Sequence, residues 1–180
     1  AAEVASVIMT TPLECADDAC AALEAAFGAL DSAAVAGIRE LYAEQSNAPR
    51  AIDGAVEAVQ SLKRRGLRIG LLSDIWSPYY AGVCRAIPEV VDAADAVVLS
   101  CETGARKPAA DNFRTVLDRL DASVEESVMV GDTYSHDILP ALEMGMKAVW
   151  VLARPEREQP ALVSILNGES PRPTITVADV

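Results

Sequence analysis

The chain is 180 residues long and 51% hydrophobic, with 27 Asp and Glu against 15 Lys and Arg, a formal net charge of -12. That is enough apolar material for one domain, or a domain with a small appendage. The acidic balance argues against nucleic acid or an anionic membrane as partner, because both bind through clustered positive charge. The basic run Lys63, Arg64 and Arg65 closes a predicted helix, where cations complement the helix dipole. Cys15, Cys20, Cys84 and Cys101 form no CxxC pair and have no histidine at zinc spacing, so they read as reduced small hydrophobes. No signal-peptide pattern opens the chain and no apolar run reaches membrane-spanning length, so a cytoplasmic protein is expected.

In chain order, an apolar run from Val4 to Met9 comes first. Residues 13–48 then hold two amphipathic helices, "DDACAALEAAF" stopped by Gly28 and "SAAVAGIRELYAE" begun near Asp31, with no strand between them. They are expected to form a helical hairpin beside a sheet, a small N-terminal cap. From residue 49 to 180 helices and strands alternate. "DGAVEAVQSLKRRG" predicts a helix with Asp53 as N-cap, an apolar stripe through Val56, Val59 and Leu62, and Gly66 just past its end. "LRIGLLSD" predicts a strand, "SPYYAGVCRAI" a helix, and "AVVLS" a strand ending at Ser100. "CETGARKPAADNFRTVLDRL" opens as a loop and turns helical after Pro108, with Phe113, Val116, Leu117 and Leu120 at helical spacing. "SVMV" and "KAVWVL" read as strands around a short helix, "DILPALEM", and a helix in "QPALVSILNG" and a strand in "TITVADV" follow. This alternation predicts an α/β fold, a three-layer, doubly wound parallel sheet with a small helical cap.

In such sheets ligands collect at the carboxyl ends of the strands. Three strand ends carry polar chemistry: Ser73 and Asp74; Ser100 and the loop to Lys107; and Gly131, Asp132 and Asp137. These loops are expected to face one crevice. Two ionised carboxylates about 4 Å apart repel by roughly 4 kcal/mol at an effective dielectric of 20, so Asp132 and Asp137 call for a cation. Lys107 is one candidate. A divalent metal is the other, and carboxylate oxygens are the hard ligands that Mg²⁺ prefers. A plainer reading has Asp137 capping a helix at Ile138 and Asp132 forming an Asx turn.

Together "GLRIGLLSD", "GARKPAADNF" and "VMVGDTYSHD" resemble, in order and spacing, the haloacid dehalogenase-like (HAD) superfamily of phosphatase type over Ala51 to Leu152. Ser73 matches the family's second motif, Lys107 the third, and Gly131, Asp132 and Asp137 the fourth, GDxxxxD. The resemblance implies Mg²⁺-dependent phosphoryl transfer through an aspartyl-phosphate on a small phosphorylated metabolite. In that scheme Ser73 hydrogen-bonds a phosphoryl oxygen, Lys107 neutralises charge, and Asp132 and Asp137 hold the metal directly or through water. Asp74, beside the substrate, stands where the family frequently has Asn.

The family's first motif, a strand ending in DxD with the nucleophile as its first Asp, is not found in these 180 residues. Three readings stand. Residues 1–12 form a degenerate first core strand, with Val4 to Met9 as the strand and Thr10 at the nucleophile position. Alternatively, the first strand lies outside this sequence, the chain being a fragment or a half that a partner completes. Or Asp74, also at a strand end, is the nucleophile. A homodimer, or a partner chain supplying the missing strand, would complete the fold. The alternative function is a non-catalytic module that binds phosphate or metal. Among other residues, His136 reads as an exposed loop histidine; Trp76, Tyr79 and Tyr80 either line a substrate entrance or pack against the cap; Glu102 and Arg106 either orient Lys107 or are solvated.

Overall fold

The computed structural model of the chain describes residues 2–178. Two compact units are present, Ala1–Arg106 and Lys107–Val180.

The first unit opens with three helices, α1 (Ala2–Met9), α2 (Ala16–Phe27) and α3 (Ser32–Asn47). Asp31 caps α3 as expected, its carboxylate accepting from the Ala34 N–H at 2.7 Å. Asp17 of α2 pairs with Arg39 of α3 at 2.8 Å. Buried Leu13, Ala19 and Trp76 form a small core, against which Ile8, Ile38 and Tyr42 pack. Helix α4 (Ala55–Arg64) starts one residue later than Asp53 would place it: Gly54, with φ 84°, is the N-cap, and the Asp53 side chain makes no cap. Its other end is as read from the sequence. Gly66 has φ +81°, its N–H reaches Lys63 O at 2.9 Å, and the Leu67 N–H reaches Leu62 O at 3.2 Å, the paired bonds of a Schellman stop.

Strand β1 (Gly70–Ser73) pairs in parallel with β2 (Ala96–Leu99), with Ser73 opposite Leu99. Between them run α5 (Ser77–Ala86), with Pro78 in its first turn, and α6 (Pro88–Ala93), a turn and a half that the sequence reading left unassigned. Helix α5 meets the end of α3 at Gly82, where an added Cβ would lie 2.5 Å from Ser46 O; Arg85 covers that same carbonyl. Ser100 begins a single helical turn, α7 (Ser100–Thr103), rather than an open loop.

In the second unit α8 (Ala110–Leu120) buries Phe113, Val116 and Leu117, the expected stripe. Strands β3 (Val128–Gly131), β4 (Lys147–Val151) and β5 (Ile175–Val177) form one parallel sheet in that order. A wide turn (Tyr134–Ile138) and α9 (Leu139–Met144) connect β3 to β4, and α10 (Gln159–Leu166) connects β4 to β5. Tyr134, Ile138, Ala148, Trp150 and Ile165 are its buried core. Every strand pair in both units is parallel, as the βα alternation required.

The first-strand expectation for residues 1–12 is corrected. Val4 to Met9 lies in a helix, not a strand. Short apolar runs are ambiguous between the two states, and this one offers Ala5, Ile8 and Met9 at helical spacing with Glu3 in the first turn. Thr10 therefore ends no strand; its hydroxyl donates to Ser6 O at 2.7 Å, one helical turn back. Among the described residues β1 pairs only with β2, and β3 only with β4. On β3, Val128 and Val130 share one face of the sheet and are 51% and 53% exposed.

Candidate active site

Strand β3 runs straight into the acidic turn. Gly131 does not need a positive φ there; it needs the absence of a side chain, since an added Cβ would sit 2.4 Å from Asp137 Cβ. This close approach, rather than a sharp bend, is why the position takes glycine. The Asp137 carboxylate is fully engaged: Oδ2 accepts the Thr133 N–H at 3.0 Å, and Oδ1 lies 2.5 Å from Lys107 Nζ. The two side chains are 5% and 12% exposed, so the lysine neutralises a carboxylate held out of water. Asp137 thus bonds backwards to the turn it belongs to, and does not cap the helix that follows. The turn itself is wide, the Leu139 N–H reaching Tyr134 O five residues back, a form frequent at functional sites.

Asp132 is different. Its side chain is 44% exposed and pairs with Arg154, which follows β4. Its main-chain carbonyl accepts from Trp150 Nε1 at 3.1 Å. Tyr134 stacks at a tilt on Trp150 with centroids 5.3 Å apart, donates its hydroxyl to Pro171 O at 2.6 Å, and has its N–H bound by Glu158 at 3.0 Å. The turn is therefore clamped by β4 and by the segments flanking α10. Sequence reading missed Arg154 and Glu158. Both lie some twenty residues beyond the motif, and only the parallel return of β4 beside β3 brings them back. His136 is exposed, as expected.

The donor set suits Mg²⁺. Asp132 offers a hard, half-exposed carboxylate, Asp137 a second one already charge-matched by Lys107, and Mg²⁺ commonly uses one or two carboxylates beside water and phosphate. Among the described residues no group of three or more His, Cys, Asp and Glu is placed to hold a metal, which argues against an all-protein cage.

In the first unit Ser73 ends β1 and, with Asp74, Ile75 and Trp76, lines a cleft of about 510 Å³ whose far walls come from α1 and α3. The loop is braced from beneath by Ser100, fully buried, whose Oγ accepts the Ile75 N–H at 2.9 Å and lies 3.3 Å from Ile75 O. Ser100 is thus a support for the Ser73 loop rather than a group facing ligand. Asp74, 12% exposed, has Arg106 Nε 3.5 Å from its carboxylate. That partner is a role sequence reading did not assign to Arg106, and it places a cation beside the carboxylate suggested as an alternative nucleophile. Trp76 is buried against Tyr42, edge to face at 5.8 Å, and also lines the cleft, as Tyr79 does. Burial, and then the neighbouring Cys84, pushes the Tyr80 phenol up to about 12.

Parallel βα units with a serine at one strand end, and a GDxxxxD turn with its lysine at another, define a Rossmannoid hydrolase fold. The family model of the haloacid dehalogenase-like hydrolases matches residues 4–145, and the chain belongs to that family. It is 32% identical over 113 residues to a ribulose-1,5-bisphosphate 5-phosphatase of Halopiger xanaduensis, covering 63% of this chain and 46% of that protein. It is 31% identical over 101 residues to a glyceraldehyde 3-phosphate phosphatase of Pyrococcus abyssi, covering 56% of this chain and 42% of that protein. The chain thus spans less than half the length of these curated relatives. The crystal structure of a HAD phosphatase from Thermococcus onnurineus shares the fold, with a TM-score of 0.60 and 22% identity over 78% of this chain and 59% of that one. Among the described residues no helix is long and apolar enough to cross a membrane.

Proposed function

We propose that the chain carries the phosphoryl-binding and metal-binding residues of a Mg²⁺-dependent phosphohydrolase acting on a small phosphorylated metabolite. The observation that carries this reading is the Lys107–Asp137 pair, largely buried and 2.5 Å apart, with Asp137 in the same strand-end turn as the half-exposed Asp132. Lys107 offers positive charge to a phosphoryl oxygen, and its pairing with Asp137 fixes where that charge stands. Ser73 donates its hydroxyl to a phosphoryl oxygen, and Asp74, neutralised by Arg106, lies beside the substrate. A Mg²⁺ ion held by Asp132, with Asp137 acting through water, would supply Lewis-acid stabilisation of phosphoryl charge. Support for a small phosphorylated substrate comes from the relatives' names, which specify sugar phosphates. A cytoplasmic location is part of the same proposal.

No DxD occurs in these 180 residues, and the second reading is a HAD-fold module, or a part of a larger protein, that binds phosphate or metal without turnover. In that case the edge of β3 that no strand pairs among the described residues suits a strand from a second copy or from a partner chain. Two measurements separate the readings. Mg²⁺-dependent hydrolysis of an aryl phosphate that disappears in Lys107→Ala and Asp132→Asn supports the enzyme. Calorimetric binding of Mg²⁺ and phosphate with no hydrolysis supports the module, and binding of neither overturns both.

A further inference from the structure

The cleft beside Ser73 has a chemical character that the relatives' names do not suggest. Its walls are Ile8 and Met9 of α1, Leu41 of α3, Ile75 and Trp76 of the strand-end loop, and Tyr79 of α5. Gln45 is the one amide among the side chains that line it, and Ser73 and Asp74 stand at the strand end. A polyol pressed against the apolar walls would lose more water than Gln45, Tyr79 and the strand-end Ser73 and Asp74 could replace. An apolar body would instead exchange water for contact over the whole surface, and a volume of about 510 Å³ lies within the range of clefts that hold small organic ligands.

The walls are also preformed. Trp76 is buried, its ring fixed by Tyr42, while the Tyr42 hydroxyl donates to Leu13 O at 3.0 Å and the Leu13 N–H reaches Ser77 Oγ at 2.9 Å. The Asp74 charge, which would repel a phosphate, is balanced by Arg106. Resting on the proposed phosphoryl role of Ser73, we infer that the substrate is a phosphate monoester with an apolar aryl or branched-alkyl body seated in this cleft, rather than a polyhydroxylated sugar phosphate.

The test is calorimetry on the full chain in Mg²⁺ buffer, with inorganic phosphate, glycerol 3-phosphate, 1-naphthyl phosphate and 1-naphthol as probes. Leu41→Gln is the variant of choice, because Leu41 is 45% exposed and its replacement leaves the core intact. Naphthyl phosphate is expected to bind at least about tenfold tighter than glycerol 3-phosphate, and to lose most of that advantage in Leu41→Gln while phosphate affinity is unchanged. Equal affinity for the two esters, or a naphthyl preference untouched by Leu41→Gln, overturns the inference and leaves the phosphate-binding reading standing. Naphthol binding as tightly as its phosphate also overturns it, since the cleft would then be a mere apolar surface. Failure to bind any phosphate overturns this inference and the reading beneath it together.

Discussion

Two loops leave the ends of four-residue parallel strands in this protein, and they are built on opposite principles. The turn after β3 is wired by charge and hydrogen bonds: Lys107 and the Thr133 N–H on Asp137, Arg154 on Asp132, Trp150 on the Asp132 carbonyl, Glu158 on the Tyr134 N–H. The loop after β1 is held by packing, with Ile75 and Trp76 buried and one serine, Ser100, bracing the backbone from within. Asp137, at 5% exposure, needs a paired charge, because an unpaired one would be costly out of water. The loop beside the cleft rests instead on a packed floor, with Asp74 paired to Arg106.

If that contrast is right, the turn fails by losing partners and the loop fails by losing volume. The largest effect is expected at Lys107. Lys107→Ala strands a carboxylate that is 5% exposed and should cost about 3 kcal/mol in urea unfolding, with much of the loss recovered when Asp137→Asn is added. A single-variant loss well under 1 kcal/mol would show that water, not Lys107, balances Asp137. Gly131→Ala comes next, about 1–3 kcal/mol, because the new methyl meets Asp137 at its root and not at a flexible tip. Ser100→Ala should cost about 1 kcal/mol, since the Ile75 N–H loses its partner in a fully buried place; a neutral result would mean that packing alone holds the loop.

Arg154→Gln sharpens the comparison from the other side. Both partners of that pair are near half exposed, so stability should change by no more than about 1 kcal/mol, while Asp132 becomes more available to a cation; Mg²⁺ titration by calorimetry reads the second effect separately from the first. The smallest effect lies outside both loops. Asp95 is held below the ordinary carboxylate range by the hydrogen bond from Lys63 and then by the Ile69 N–H. Its stabilising contribution is present above the unfolded carboxylate value and fades as pH falls through the lower, folded one. Wild type and Asp95→Asn should therefore differ slightly at neutral pH and converge in thermal melts as pH falls below the folded-state value. A gap that persists unchanged at low pH would show that the charge is not its source.

The sequence alone determined most of the segments that become helices and strands from α2 onward, the short α6 and α7 excepted, together with the parallel pairing and the membership that the Ser73, Lys107 and GDxxxxD motifs announce. Those properties are local or periodic: Asp31 caps its own helix, Gly66 stops its own, and Phe113, Val116 and Leu117 share a face by spacing. Tertiary structure alone decided that Val4 to Met9 is a helix, because a short apolar run takes whichever state its neighbours can pack, and here Ile8 and Met9 pack against the Leu13 and Trp76 core. It likewise decided that Arg154 meets Asp132 and that Arg106 meets Asp74, contacts 22 and 32 positions apart in the chain. Charge partners at such separations leave no periodic trace, since any of several arginines could satisfy the same carboxylate until the strands fix which one arrives.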